Sequence, residues 1–179
     1  MPFESDDVVV RRLDADCWEL VEPLVYRGKR DRFVVPAGFP TDFATVPRVV
    51  VWLVPRFGRY TAAAILHDWL VTAGITSGVV TGREADGVFR RVLRESGVPV
   101  LRRWLMWCAV RWAALGDPVR GRGWWRSAPG VVGISVLAAP VVLPPAVLIA
   151  VSLTVYGLAE AVVGVLTGRP AEDAGSMRT

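Results

Sequence analysis

Lysine is nearly missing from this 179-residue chain: Lys29 stands alone beside twenty arginines, a preference that reads as coding bias rather than function. Histidine occurs once, at His67, and cysteine twice, at Cys17 and Cys108. A single histidine argues against the metal-dependent His-Asp phosphohydrolases, which use several. The two cysteines have no zinc-type or redox spacing and lie among apolar residues. They therefore predict core thiols in a reducing compartment rather than a disulfide scaffold. No serine sits in a strained strand-to-helix elbow, so a Ser/His/Asp triad has no support. The acidic start, MPFESDD, does not read as a signal peptide. Internal repeats and low-complexity linkers are also lacking.

Charge is missing from the last third. Between Ser127 and Gly168 only Glu160 is charged, whereas residues 1–86 carry ten basic and twelve acidic side chains. Residues 87–126 hold nine arginines against Glu95 and Asp117. That basic stretch runs straight into an apolar one, which fits an anionic membrane surface better than nucleic acid. Its arginines are expected on a solvated or lipid-facing surface.

What the chain does have is apolar mass: 53% hydrophobic residues, mean hydropathy +0.39 and eight tryptophans. Such a composition excludes a disordered chain. Much of it lies in 128–166, which as one helix would be roughly 58 Å long, about twice a bilayer's hydrocarbon core. Pro140, Pro144 and Pro145 interrupt it. The expectation is a transmembrane helical hairpin, with helices at about 128–143 and 145–166. Arg120, Arg122 and Arg126 precede it, Arg169 follows it, and Trp124 and Trp125 stand at its threshold. Basic flanks at both ends place both termini and the soluble part on the cytoplasmic side of the inner membrane. A re-entrant hairpin remains an alternative, given Gly130, Gly133 and Pro140.

Ahead of the hairpin the pattern predicts an α+β fold, a small antiparallel sheet followed by three helices. Strand-like runs occupy 7–13, 17–27 and 31–36. Helices are expected over 58–73, over the stretch to Ser96 that the Thr81/Glu84 capping box opens, and over 100–115. In the last, Leu101, Trp104, Leu105, Cys108, Trp112 and Leu115 recur at helical spacing. The domain plan is then a soluble unit over 1–120, a basic and aromatic collar over 121–127, the hairpin over 128–168 and a disordered tail over 169–179.

Three segments gather polar groups among apolar ones: GFPTDFATVPR at 38–48, ILHDWL at 65–70 and READGVF at 83–89. Their motifs are Gly38 with Thr41-Asp42-Phe43-Ala44-Thr45-Val46-Pro47-Arg48, then His67-Asp68 with Leu70, then Ala85-Asp86 with Phe89. Ala109-Val110-Arg111 with Gly116 follows. In order and spacing this series resembles domain-of-unknown-function family 1353, found in phages, prophages and bacteria, over roughly residues 30–116. Trp69 stands where a tyrosine often follows the His-Asp pair. The resemblance implies an identity rather than an activity, with a phage or host protein as the class of partner.

Read from the residues, His67, Asp68, Asp42 and Asp86 are the candidate catalytic groups. An imidazole and two or three carboxylates suit a divalent metal with open water positions, or a general base without metal in which Asp42 or Asp86 orients His67. Thr41, Thr45, Arg48 and Arg111 are the candidate binding groups. Against a shared centre, His67 and Asp68 are helical neighbours about 100° apart. The same residues also suit a structural network, with Asp42 capping a turn, Asp68 pairing Arg48, His67 bonding a buried carbonyl and Asp86 complementing a helix dipole. The leading expectation is a membrane-anchored, cytoplasm-facing binding or assembly module whose partner is the lipid bilayer together with a protein. A hydrolase is the alternative. A phage lysis accessory, by analogy with short proline-tipped hairpins, is the third reading.

Overall fold

The computed structural model describes residues 2–5, 7–14, 17–29, 31–43, 46–55 and 57–168. Thr45, Arg169 and the expected tail lie outside the described residues. Five short strands come first: β1 (Val10–Arg12), β2 (Trp18–Leu20), β3 (Leu24–Arg27), β4 (Arg32–Val35) and β5 (Pro40–Thr41). Pairing is antiparallel throughout, in one sheet ordered β1-β2-β5 and a second of β3 with β4. The run 17–27, expected as one strand, is two. Pro23 has no N–H to give a ladder, so the chain turns at 21–23 and opens a second sheet. Gly38, at φ 81°, makes the turn into β5, where its N–H donates to the Leu20 carbonyl at 2.8 Å.

Four helices follow: α1 (Thr61–Trp69), α2 (Gly82–Glu95), α3 (Val100–Ala113) and α4 (Ala128–Thr167). The first passes directly into a π-helical turn, Leu70–Gly74. At the start of α2 the capping box forms in full. The Thr81 side chain accepts from the Glu84 N–H, and Glu84 accepts from the Thr81 N–H at 2.8 Å. The core lies where the sheets meet α1 and α2: Leu24, Tyr26 and Val35 close on Ile65, Leu66 and Leu70, with Phe89, Val92 and Leu93 beneath. Burying such aliphatic and aromatic side chains contributes roughly 1.5–3 kcal/mol each.

On α3 the buried face differs from the expected stripe. Met106, Cys108 and Arg111 are buried, while Leu101, Trp112 and Leu115 are exposed. α3 packs on α2 along one side and α4 along another, and the residues between those contacts are the ones enclosed. Of the two cysteines, Cys108 is buried, and burial pushes its thiol up, while Cys17 is half-buried.

The C-terminal segment is one helix of 40 residues, roughly 60 Å long, and not the two helices the prolines suggested. Pro140, Pro144 and Pro145 lie inside it. Each removes a single donor, leaving the carbonyls of Val136, Pro140 and Val141 without their ladder N–H, and the turns on either side carry the helix through. Its root is held firmly. Val131 is fully buried, the Trp112 indole donates to the Ser135 hydroxyl at 3.1 Å, and α4 packs on α3 and on the 3₁₀ turn Arg48–Val50. From Val151 to Thr167 every residue but Gly164 is exposed.

Candidate functional site

α1 carries the two neighbouring polar residues into different surroundings, as a 100° step along a helix requires. His67 turns inward. Its Nε2 lies 2.7 Å from Asp86 Oδ1, and its ring packs at 4.7 Å against Phe89 one turn further along α2. Asp68 turns toward the sheet, where the Thr41 hydroxyl on β5 donates to its Oδ2 at 3.0 Å.

Asp86 is the hub of the inner group and is fully buried. Its second oxygen receives the Arg111 Nη1 at 2.8 Å, and Arg120 Nη2 stands 3.6 Å from the first. Arg111 is fully buried too, and its Nε donates to the Ser127 hydroxyl at 3.1 Å. The Trp124 indole closes over it, donating to the Arg111 carbonyl at 2.6 Å. Expected on a solvated or lipid-facing surface, Arg111 is instead the most deeply placed cation of the head. A buried carboxylate needs a partner of opposite sign, and Arg111 supplies it to Asp86 from the last turn of α3. Asp86 lies one residue past the first turn of α2, where Glu84 stands instead, so its role is the ion pair and not the helix dipole.

The outer group is built on a strained loop. Phe43, at φ 67°, adopts the left-handed region that a bulky side chain disfavours. Its N–H donates to Thr41 Oγ1 at 3.0 Å, and its ring is gripped between Trp18 at 5.6 Å and Phe57 at 5.1 Å. The Thr41 hydroxyl is thereby committed, accepting from Phe43 and donating to Asp68. Burial, with the nearby Asp42 carboxylate adding repulsion, pushes the Asp68 carboxyl up to about 7; the Thr41 bond and Arg120 oppose this only in part. Arg48, expected to pair Asp68, opens the 3₁₀ turn against α4, and the groups acting on Asp68 are Thr41, Asp42 and Arg120.

The structure therefore brings His67, Asp86 and Arg111 together, and separately Thr41, Asp42 and Asp68. Among the described residues Arg120 alone acts on both. Sequence reasoning placed Arg120 and Trp124 at the membrane and gave Ser127 no role. The available signal was the Asp117-Pro118 turn, in which Asp117 Oδ1 accepts from the Val119 N–H at 2.8 Å and folds the following segment back onto α2. A Cβ added to Gly82 would lie 2.8 Å from the Arg120 Cα, a measure of how closely that segment docks.

The donor set does not suit a divalent metal. Both Asp86 oxygens are occupied by His67 and Arg111, and two guanidiniums repel a cation from that pocket. Among the described residues no three His, Cys, Asp or Glu side chains cluster at metal-holding geometry.

A sequence model of the family described as "Protein of unknown function (DUF1353)" matches residues 18–110, from β2 to nearly the end of α3. The chain belongs to this family. The matched DUF1353 region contains Thr41, Asp42, His67, Asp68 and Asp86, while Arg111, Arg120, Ser127 and the whole of α4 lie beyond it. No curated protein and no solved structure matches the chain.

Proposed function

We propose that this DUF1353 protein is a membrane-anchored binding or assembly module, its α+β head held at the cytoplasmic face of the inner membrane by α4. The observation that carries the reading is the bare apolar surface of that helix. Leu137, Val165 and Leu166 are each at least 80% exposed, and α4 is long and apolar enough to cross a bilayer. A soluble monomer rarely exposes a contiguous apolar patch beyond a few hundred Å². Binding is favoured over catalysis because His67 Nε2 and both Asp86 oxygens are already engaged with one another and with Arg111 inside the buried cluster. A phage or host protein is the partner class that the family resemblance suggests.

A helix of about 60 Å is twice the hydrocarbon thickness, so insertion favours folding α4 back at Pro140–Pro145 into two passes. Basic residues flanking both ends then keep both termini cytoplasmic. A C-terminal alkaline phosphatase fusion should be inactive in cells and a C-terminal green fluorescent protein fusion fluorescent. The reverse pattern would show a single pass with the C-terminus outside.

One observation favours the second reading, general-base chemistry without metal. Asp68, carried to about 7 and oriented by Thr41, is the kind of carboxyl that accepts a proton near neutral pH. If it does, a hydrolytic activity found in the purified chain should fall at least about 100-fold in Asp68→Asn. Retention of that activity would remove the reading.

A further inference from the structure

α2 and α3 enclose a groove of about 390 Å³ bordered by Gly87, Arg90, Arg91, Arg94, Arg103 and Trp104. The α2 residues recur at i, i+3, i+4 and i+7, which puts them on one helix face. Two acidic groups stand near this face, and both are taken: Asp31 pairs with Arg91, and Glu95 accepts from the Tyr26 hydroxyl. Among the described residues no carboxylate pairs with Arg90, Arg94 or Arg103. Arg90 lies over two rings, 4.4 Å from the Trp104 centroid and 5.2 Å from that of Trp107. Burial lowers the Arg90 pKa, and repulsion from Arg103 and Arg94 lowers it further. Three like charges held together without a counter-charge form a site that an anion would relieve.

Its position says which anion. Trp107 reaches from the groove to the first turn of α4, since a Cβ on Gly130 would lie 3.9 Å from its ring. The groove thus opens beside the point where the anchor leaves the head, and two indoles flank it, side chains that favour the headgroup layer. Arginine also suits a phosphodiester, which its planar fork can hold through two hydrogen bonds.

We propose that Arg90, Arg94 and Arg103, with Trp104, form a binding site for the phosphate headgroup of an anionic lipid. The site rests on the membrane-anchor reading and adds to it a lipid preference located in the head. An inserted helix would fix the depth of the protein, and the groove would fix which headgroups surround it and how the head is turned against the surface.

The test uses the full chain reconstituted in bilayers of mixed phosphatidylglycerol and phosphatidylcholine, with the retained lipid counted by native mass spectrometry. Phosphatidylglycerol should be enriched over phosphatidylcholine. Arg94→Gln/Arg103→Gln should lose roughly fivefold of that enrichment per arginine removed. This double variant leaves the Arg90–tryptophan stack in place, and an unchanged circular dichroism spectrum establishes its fold. Arg122→Gln/Arg126→Gln removes the same charge from the collar outside the groove and should keep the preference. An equal loss in both variants overturns the site in favour of diffuse collar charge. Displacement of the lipid by inorganic phosphate, or by a short RNA at matched phosphate concentration, overturns it in favour of a soluble anion or nucleic acid. Alkaline extraction of the wild type separates the two claims. Release from the membrane defeats the anchor itself, whereas a retained chain without lipid preference defeats the groove alone.

Discussion

Asp86 and Arg111 show how much of the head depends on one pair of atoms. Both side chains are fully buried, and their contact of 2.8 Å keeps a charge inside the protein that would otherwise have to be neutralised. Breaking a buried pair from one side costs about 3–5 kcal/mol, because the remaining charge stays desolvated. Arg111→Met should therefore lower the unfolding free energy of the head by about that amount in urea titrations followed by tryptophan fluorescence. A change below about 1 kcal/mol, the range of exposed pairs, would contradict the buried network. Asp68 gives a prediction of the opposite sense. Its carboxyl stands at about 7 in the folded chain against an ordinary value of 3.8, so folding favours the protonated form. Stability is then greatest below the ordinary value and declines as pH rises through 7. The full loss is on the order of 4 kcal/mol. Asp68→Asn should melt higher than wild type at pH 8 and no higher at pH 4, where both carry a neutral side chain. Matching pH profiles of the two proteins would rule out the raised carboxyl. Neither role could be read from the sequence. The motifs marked Asp42, His67, Asp68 and Asp86 as chemically dense, but which oxygen meets which nitrogen is settled by the packing of α1, α2 and α3. Arg111 in particular looks like any other arginine of a basic stretch until α3 is rotated into place.

Among the elements, those specified by local chemistry were legible. The Thr81/Glu84 box forms and starts α2, Pro99 precedes α3, and the β-branched runs become strands. Elements whose limits depend on distant contacts were not. Pro23 divides a run that alternation alone extends, and the prolines of α4 are absorbed by the helix on either side of them. The exposed stripe of α3 misled for the same reason: with two neighbours to cover, its buried face lies between them. The segment after α3 offers a direct test of such docking. Replacing Gly82 by alanine puts a Cβ 2.8 Å from the Arg120 backbone, where no flexible side chain can yield. Overpacking of this kind costs about 1–3 kcal/mol, even though alanine is the better helix former. Gly82→Ala should unfold at correspondingly lower urea, whereas Gly87→Ala, with open space around its Cβ, should gain stability. Equal behaviour of the two would mean that residues 117–122 do not seat on α2.

At the scale of the whole molecule, the composition already divided the chain, with charge crowded before Ser127 and nearly absent after it. The structure changes where the head ends. Ser127 bonds Arg111, Val131 is buried against the head and Ser135 receives the Trp112 indole, so the first two turns of α4 belong to the fold of the head as well as to the long apolar helix. The collar that the sequence suggested as a membrane threshold covers the His67–Asp86–Arg111 cluster, and the root of α4 and the cluster form one packed unit. The central claim, that this piece is tied to a bilayer by α4, is tested most directly by fractionating bacterial cells that express the full chain and washing their membranes with high salt and then alkaline carbonate. Salt screens surface charge without dislodging an inserted helix. The account predicts that the chain stays with the membranes through both washes; its appearance in the salt supernatant, or in the soluble fraction before any wash, would contradict it.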